Sequence, residues 1–299
     1  MKRAVSVSIG SSKRDKAVEV TLLGEKVLIE RRGTDGDMEK AARLYQELDG
    51  KVDAFGVGGA DLGLTVDTKW YRLHSVSPMV RFVKQTPIVD GSGLKMTLEK
   101  RLAPFIDKHL GAEVQPRRTL VTGGVDRWGM STSFFDAGYE TVYADLMFGL
   151  GIPIPLRTPG QVKVVAALLL PVVSRLPFSW IYPVGEKQDE WTPKYENWYQ
   201  WAGVIAGDCH YIKRHIPRQL PGRIICTNTT TADDVERFRS VGIRYLVTTT
   251  PRLEGRTFGT NMMEAALIAA TGKGRALTVA ELEAVIQQIG LEPTLQKLE

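Results

Sequence analysis

Cysteine is nearly missing from this chain: two residues in 299, Cys209 and Cys226. That excludes a disulfide framework and points to a reducing compartment, the cytoplasm. The apolar runs are short. The longest, Val164 to Val173, is interrupted by Pro171 and flanked by Lys163 and Arg175. It is too short to cross a bilayer and predicts a buried helix. The first ten residues place a basic pair before an alternating Ala4-Val5-Ser6-Val7-Ser8-Ile9, without the continuous apolar core of a leader. Dense Lys/Arg runs with interleaved aromatics are also missing, so nucleic acid is not an expected partner. The net charge of +5 suits a small anionic ligand as well as a polyanion. Histidine is scarce too. His74 and His109 stand alone, and His210 and His215 are five apart, off the spacing that metal ligands on one helix face need. No metal is expected.

What remains is an ordinary globular composition, 43% hydrophobic and 24% charged. The length suggests two domains. The first hundred residues alternate strand and helix signals: a hairpin over 17–29 turning at Gly24-Glu25, a helix over 38–48, and a short strand over 52–57 ending in Gly58-Gly59. A second hairpin follows over 62–73, then a short helix over 78–84, a brief strand over 87–89 and a longer helix over 94–110. The polar stretch 111–118 reads as the boundary, giving an α/β substrate domain over 1–115 and a nucleotide-binding domain over 116–299. In the second domain, strand patterns over 119–122, 141–144, 178–183, 203–206, 223–226 and 244–248 alternate with helical ones, among them 161–175, 232–241 and 261–270. A capping box at Thr278 opens a tail helix. This rhythm predicts a doubly wound parallel sheet of Rossmann type.

The first strand of that sheet runs into Thr122-Gly123-Gly124-Val125-Asp126-Arg127-Trp128-Gly129. Glycines there bring backbone N–H groups close to a phosphate, and a helix start adds positive dipole character. Asp145 closes the second strand, where an acidic residue accepts bonds from ribose hydroxyls and repels a 2′-phosphate. NAD is therefore expected over NADP, with Gly123, Gly124, Gly129 and Asp145 as cofactor ligands joined by Thr227 and Asn228 at the fifth strand end. S-adenosylmethionine enzymes share the topology and the acidic position. Asp208 and His210 close the fourth strand beside the expected switch point. In the first domain, Asp90-Gly91-Ser92-Gly93-Leu94-Lys95-Met96-Thr97 follows a strand and opens a helix. Ser92, Lys95 and Thr97 offer donors to a carboxylate or phosphate there, although the loop does not meet the Walker A pattern.

VSVSIGSSKRDK, DAFGVGGADL, TPIVDGSGLKMTLEKRL, LVTGGVDRWGM, CTNTTTADDVERFRS and TTTPRLEGRTFGTNMMEA resemble a bacterial family labelled quinate 5-dehydrogenase, across nearly the whole chain. The domain order is similar to that of shikimate and quinate dehydrogenases. The resemblance implies hydride transfer between NAD and a small hydroxylated, anionic substrate. Lys95 takes a place loosely similar to the catalytic lysine of that family's N-V-T-x-P-x-K motif, whose Asn, Thr and Pro are not found here. Lys95 would then be the general acid/base, with Asp90 or Asp208 orienting it or the substrate, and Asp208 with His210 as the alternative pair. The readings from other classes are a non-catalytic Rossmann-type sensor of a nucleotide or metabolite and an S-adenosylmethionine-binding enzyme. A homo-oligomer is compatible with all three.

Overall fold

The computed structural model describes residues 1–177, 191–250, 252–253 and 256–299. These form two compact α/β units. The first contains residues 1–94, 169–177 and 258–291, and the second residues 95–168, 191–250, 252–253, 256–257 and 292–299.

The first unit holds a five-stranded sheet in the order β2-β3-β1-β4-β7, with β1 (Lys2–Ser8), β2 (Lys16–Leu22), β3 (Glu25–Gly33), β4 (Ala54–Gly58) and β7 (Ile88–Val89). All neighbours pair in parallel except β2, the edge strand of a hairpin with β3. That hairpin turns at Leu23-Gly24, both with positive φ, one residue earlier than its sequence suggests. A small hairpin, β5 (Gly63–Val66) with β6 (Lys69–Arg72), stands beside the sheet.

The alternation in β1 has an explanation other than one buried and one solvated face, because both faces are buried. Val5 and Val7 join Tyr45 of the helix Met38–Leu48 in one core. Tyr45 anchors that helix by donating its hydroxyl hydrogen to the carbonyls of Gly56 (2.9 Å) or Val7 (3.1 Å). Ala4, Ser6 and Ser8 pair in register with Ala54, Gly56 and Gly58, making a face of small residues. The helix Thr260–Thr271 lies on this face. A side chain at Gly56 would stand 2.8 Å from the Asn261 carbonyl oxygen, and Asn261 Nδ2 donates to Ser6 Oγ at 2.7 Å. Small residues on a strand permit this close approach, which a larger residue would block.

The second unit holds the sheet β15-β12-β11-β10-β8-β9, from β8 (Arg118–Val121), β9 (Glu140–Tyr143), β10 (Val204–Ala206), β11 (Ile224–Thr227), β12 (Tyr245–Thr248) and β15 (Thr294–Lys297). Five of the six are parallel, and β15 is antiparallel to β12. Two-residue strands β13 (Arg252–Leu253) and β14 (Arg256–Thr257) pair antiparallel after β12. The unit is a doubly wound sheet of Rossmann type. The chain reverses its direction of strand addition between β8 and β10, which defines the switch point.

The strand expected over 178–183 lies outside the described residues. The last sheet position is taken by β15, a four-residue edge strand whose residues are half-exposed or exposed and carry no buried alternation to read. The boundary expected at 111–118 falls instead at Leu94–Lys95. The helix expected over 261–270 leaves the second domain, because the small-residue face of β1 and β4 is built to receive it. The helix Pro159–Val173 is not buried all round: Val164, Leu168 and Val172 are exposed while Val162, Ala166 and Leu170 are covered.

Candidate active site at the switch point

The carboxyl ends of β8, β10, β11 and β12 gather the polar residues of the second unit. The loop Thr122–Arg127 leaves β8, Asp208 follows β10, Asn228 follows β11 and Thr249 and Thr250 follow β12. Lys95, in the short helix Ser92–Met96, and Glu99, which starts the next 3-10 turn, both lie in the segment that opens this unit.

Arg127 is the centre of the arrangement. Its guanidinium is buried and binds Glu99 through Nη1 and Asp208 Oδ2 through Nη2 at 2.9 Å, with Asp126 Oδ2 3.6 Å from Nε. Burial alone would weaken its hold on the proton, but Glu99, Asp126 and Asp208 reverse that and keep it more firmly cationic than usual. Burial raises the carboxyl pKa of Glu99, which is fully enclosed, while Arg127 and Lys95 oppose the rise. Burial also acts against the charge of Asp208, yet Arg127 and His210 outweigh it and hold this carboxyl below its usual range. Asn228 Nδ2 adds a bond to Asp208 Oδ2 at 2.8 Å, and Thr227 Oγ1 orients Asn228 by donating to its Oδ1 at 3.0 Å.

Lys95 sits at the edge of this network. Its ammonium, with 9% of the side chain exposed, meets Asp126 Oδ1 at 2.7 Å, inside the glycine loop. The Lys95 side chain is thus largely covered and lies against that loop. His210 relates to Asp208 differently from an acid/base pair. Asp208 caps the helix Cys209–His215, its Oδ1 accepting the His210 backbone N–H at 2.9 Å, and the His210 ring Nδ1 is buried with no hydrogen-bond partner among the described residues.

The glycines and Asp145 divide in role. Gly123 faces open space, with no atom within 4 Å of where a side chain would begin. A side chain at Gly124 would meet the Tyr143 ring at 2.8 Å, and one at Gly129 would overlap the Lys95 carbonyl oxygen. Gly129 thus serves helix packing. Asp145 Oδ1 accepts the Val125 N–H at 2.8 Å, so the carboxylate braces the loop from within. Its Oδ2 is buried without a partner, and burial raises its pKa against the N–H groups of Val125 and Gly124.

The other glycine loop expected to bind an anion, Asp90–Thr97, is also served by the protein's own carboxylates. In the first unit, Asp90 Oδ1 accepts from the Ser92 N–H at 3.0 Å and its Oδ2 from the Leu62 N–H at 2.7 Å. Glu264 Oε2 accepts from the Leu94 N–H at 3.2 Å. A side chain at Gly91 would stand 2.5 Å from Thr260 Oγ1, and one at Gly93 2.7 Å from Glu264 Oε1, so these glycines admit helices rather than a ligand. Ser92 is half-buried, and Thr97, in the second unit, is 2% exposed. The structure thus brings Lys95, Asp208, Asn228 and Thr227 together with the Gly123 loop, and gives Asp90 a structural task. Arg127 and Glu99 are residues that sequence reasoning did not assign. The signal for Glu99 was its four-residue spacing from Lys95 amid Leu94, Leu98 and Leu102.

Residues 93–298 match a family model described as domain of unknown function DUF8754, and residues 3–90 one described as domain of unknown function DUF8753. No curated protein matches the chain. Among solved structures, an NAD-dependent malic enzyme from Thermotoga maritima is similar at 12% identity and a TM-score of 0.39, over 95% of this chain and 75% of that one. A galactofuranose binding protein is similar at 13% identity and a TM-score of 0.37, over 100% and 95% of the two chains. A sugar ABC transport substrate-binding protein from Bordetella parapertussis follows at 9% and 0.33, over 99% and 89%. No helix among the described residues is long and apolar enough to cross a membrane.

Proposed function

The chain belongs to the family described as domain of unknown function DUF8754, and we propose that its second unit is the catalytic unit of an NAD-dependent oxidoreductase acting on a small hydroxylated substrate. The observation that carries this reading is the enclosed Lys95–Asp126 pair at 2.7 Å, set in the glycine loop at the switch point. A further feature fits a dinucleotide there: the open face of Gly123. Bound nicotinamide would supply the hydride acceptor. Lys95 exchanges the proton of the substrate hydroxyl, and Asp126 holds the amine in line. Arg127, fixed by Glu99 and Asp208, keeps the loop in one conformation, which is the preorganisation that proton transfer needs. A substrate of the quinate type is the first to try.

The experiment is a calorimetric titration of the full chain with NAD, followed by NADH formation in the presence of quinate or shikimate. Wild type and Lys95→Met should bind NAD alike, while only wild type reduces it. Absence of saturable NAD binding at millimolar concentrations removes the reading.

One observation favours a second reading. Glu99, Asp126, Asp145 and Asp208 surround the loop against two cations, Lys95 and Arg127. This excess of carboxylates suits hydroxyl donors better than a pyrophosphate. A sensor of a neutral polyol, without turnover, follows from it. Polyol binding without NAD binding would establish that alternative.

A further inference from the structure

The first unit has its own glycine loop at a strand end, Ser8-Ile9-Gly10-Ser11-Ser12-Lys13-Arg14 after β1, and here the charges are reversed. Arg31, at the end of β3, is 11% exposed in its side chain. Its Nη1 binds Asp15 Oδ1 at 2.8 Å and the Ser11 carbonyl at 2.9 Å, and its Nη2 binds Ser8 Oγ at 3.0 Å. The Arg14 guanidinium reaches the same place. A side chain on Gly10 would meet Arg14 Nη2 at 2.5 Å and Arg31 Nη2 at 3.0 Å. Two guanidinium ends therefore share the space over one glycine. Burial, and then the neighbouring Arg14 charge, push the Arg31 guanidinium below its usual range, with Asp15 acting the other way. Asp15 compensates Arg31. No hydrogen bond or ion pair to the Arg14 side chain occurs among the described residues, and that side chain is exposed.

The loop is held rigidly. Ser12 N–H donates to Asp35 Oδ1 at 2.7 Å, Gly33 N–H to Asp15 Oδ1 at 2.6 Å, Thr34 N–H to the Ser8 carbonyl at 2.8 Å and Gly36 N–H to the Ile9 carbonyl at 2.8 Å. Like charges brought together on a fixed frame repel unless an anion lies between them. Guanidinium groups in pairs match phosphate oxygens with directed, charge-assisted bonds. We propose that the carboxyl ends of β1 and β3 form a phosphate site, with Arg14 and Arg31 as its two arms and Gly10 as the opening that lets them converge. The site takes the phosphate group of a small metabolite. It is independent of the Lys95 chemistry, so the NAD titration above neither supports nor removes it.

The test is isothermal titration of the full chain with inorganic phosphate at low ionic strength. Wild type should bind saturably, and Arg14→Ala should bind about tenfold more weakly, the loss of a strong charge-assisted contact. Gly10→Ala keeps every charge but pushes the arms apart, and it too should weaken binding. Lys13→Ala removes an equally exposed charge next door and should leave affinity unchanged. Arg14 has no structural partner, so its variant should fold. Three results overturn the proposal: no saturable binding of phosphate, Arg14→Ala binding like wild type, or Lys13→Ala losing as much as Arg14→Ala. Acetate binding as tightly as phosphate would overturn the phosphate assignment.

Discussion

Each unit ends the first strand of its parallel sheet in a glycine loop, and the two loops are completed in opposite ways. In the second unit, carboxylates close in. Asp145 takes the Val125 N–H, and Asp126, Glu99 and Asp208 outnumber the two cations they hold. In the first unit, two arginines converge over Gly10 and one of them has no counter-charge. Glycine at a strand end states only that the backbone must turn or be approached closely. Whether the loop receives an anion depends on whether the protein has already supplied one. By that measure the loop after β1 carries positive charge that the protein leaves uncompensated, and the loop after β8 is already furnished with carboxylates.

The largest effect that would sharpen this contrast comes from the glycines of the second loop. Gly129→Ala should cost at least the upper end of the ~1–3 kcal/mol of overpacking, because its methyl meets the Lys95 backbone, which cannot swing away. Gly123→Ala should be nearly silent in thermal unfolding. Equal effects at the two positions would break the division of roles. Next is Asp208→Asn, expected to cost about 1–2 kcal/mol at pH 7 through the loss of a charged bond to Arg127. The Asp208 carboxyl is depressed in the folded state, so its contribution is present above about pH 4, its ordinary range, and is lost as pH falls through the depressed value. The gap between wild type and variant should therefore close in acid, as followed by denaturant titration at pH 7 and pH 3. A gap that stays constant would mean that Asp208 acts through shape and not charge. Smallest is Arg14→Ala, which should change stability by less than about 0.5 kcal/mol. A larger loss on unfolding would show that Arg14 is a structural arm, as Arg31 is.

Much of the fold was legible because long periodic segments carry their own signal. Five parallel strands of the second sheet stand where alternation and spacing put them, and the capping box at Thr278 is formed. The destination of the helix Thr260–Thr271 was not legible. Its sequence says that it is buried, but the surface that receives it is a set of alanines, serines and glycines on strands more than two hundred residues earlier. Small residues carry almost no hydropathy, so this half of the packing left no pattern. At the site, Lys95 and Asp208 could be singled out as charged residues at strand ends. Arg127 and Glu99 could not be paired in advance, since their ion pair joins two segments whose meeting depends on the backbone contact at Gly129.

That late helix has a consequence for how the protein is made. During synthesis the residues of β1 to β7 emerge first, and one face of their sheet, Ala4, Ser6 and Ser8 beside Ala54, Gly56 and Gly58, has no cover until the chain has been extended past Thr271. Ribosomes add about 5–20 residues per second, so this interval lasts on the order of ten seconds or more. The whole second sheet up to β12 is translated within it. The first unit therefore cannot complete its packing until nearly the whole chain has been translated.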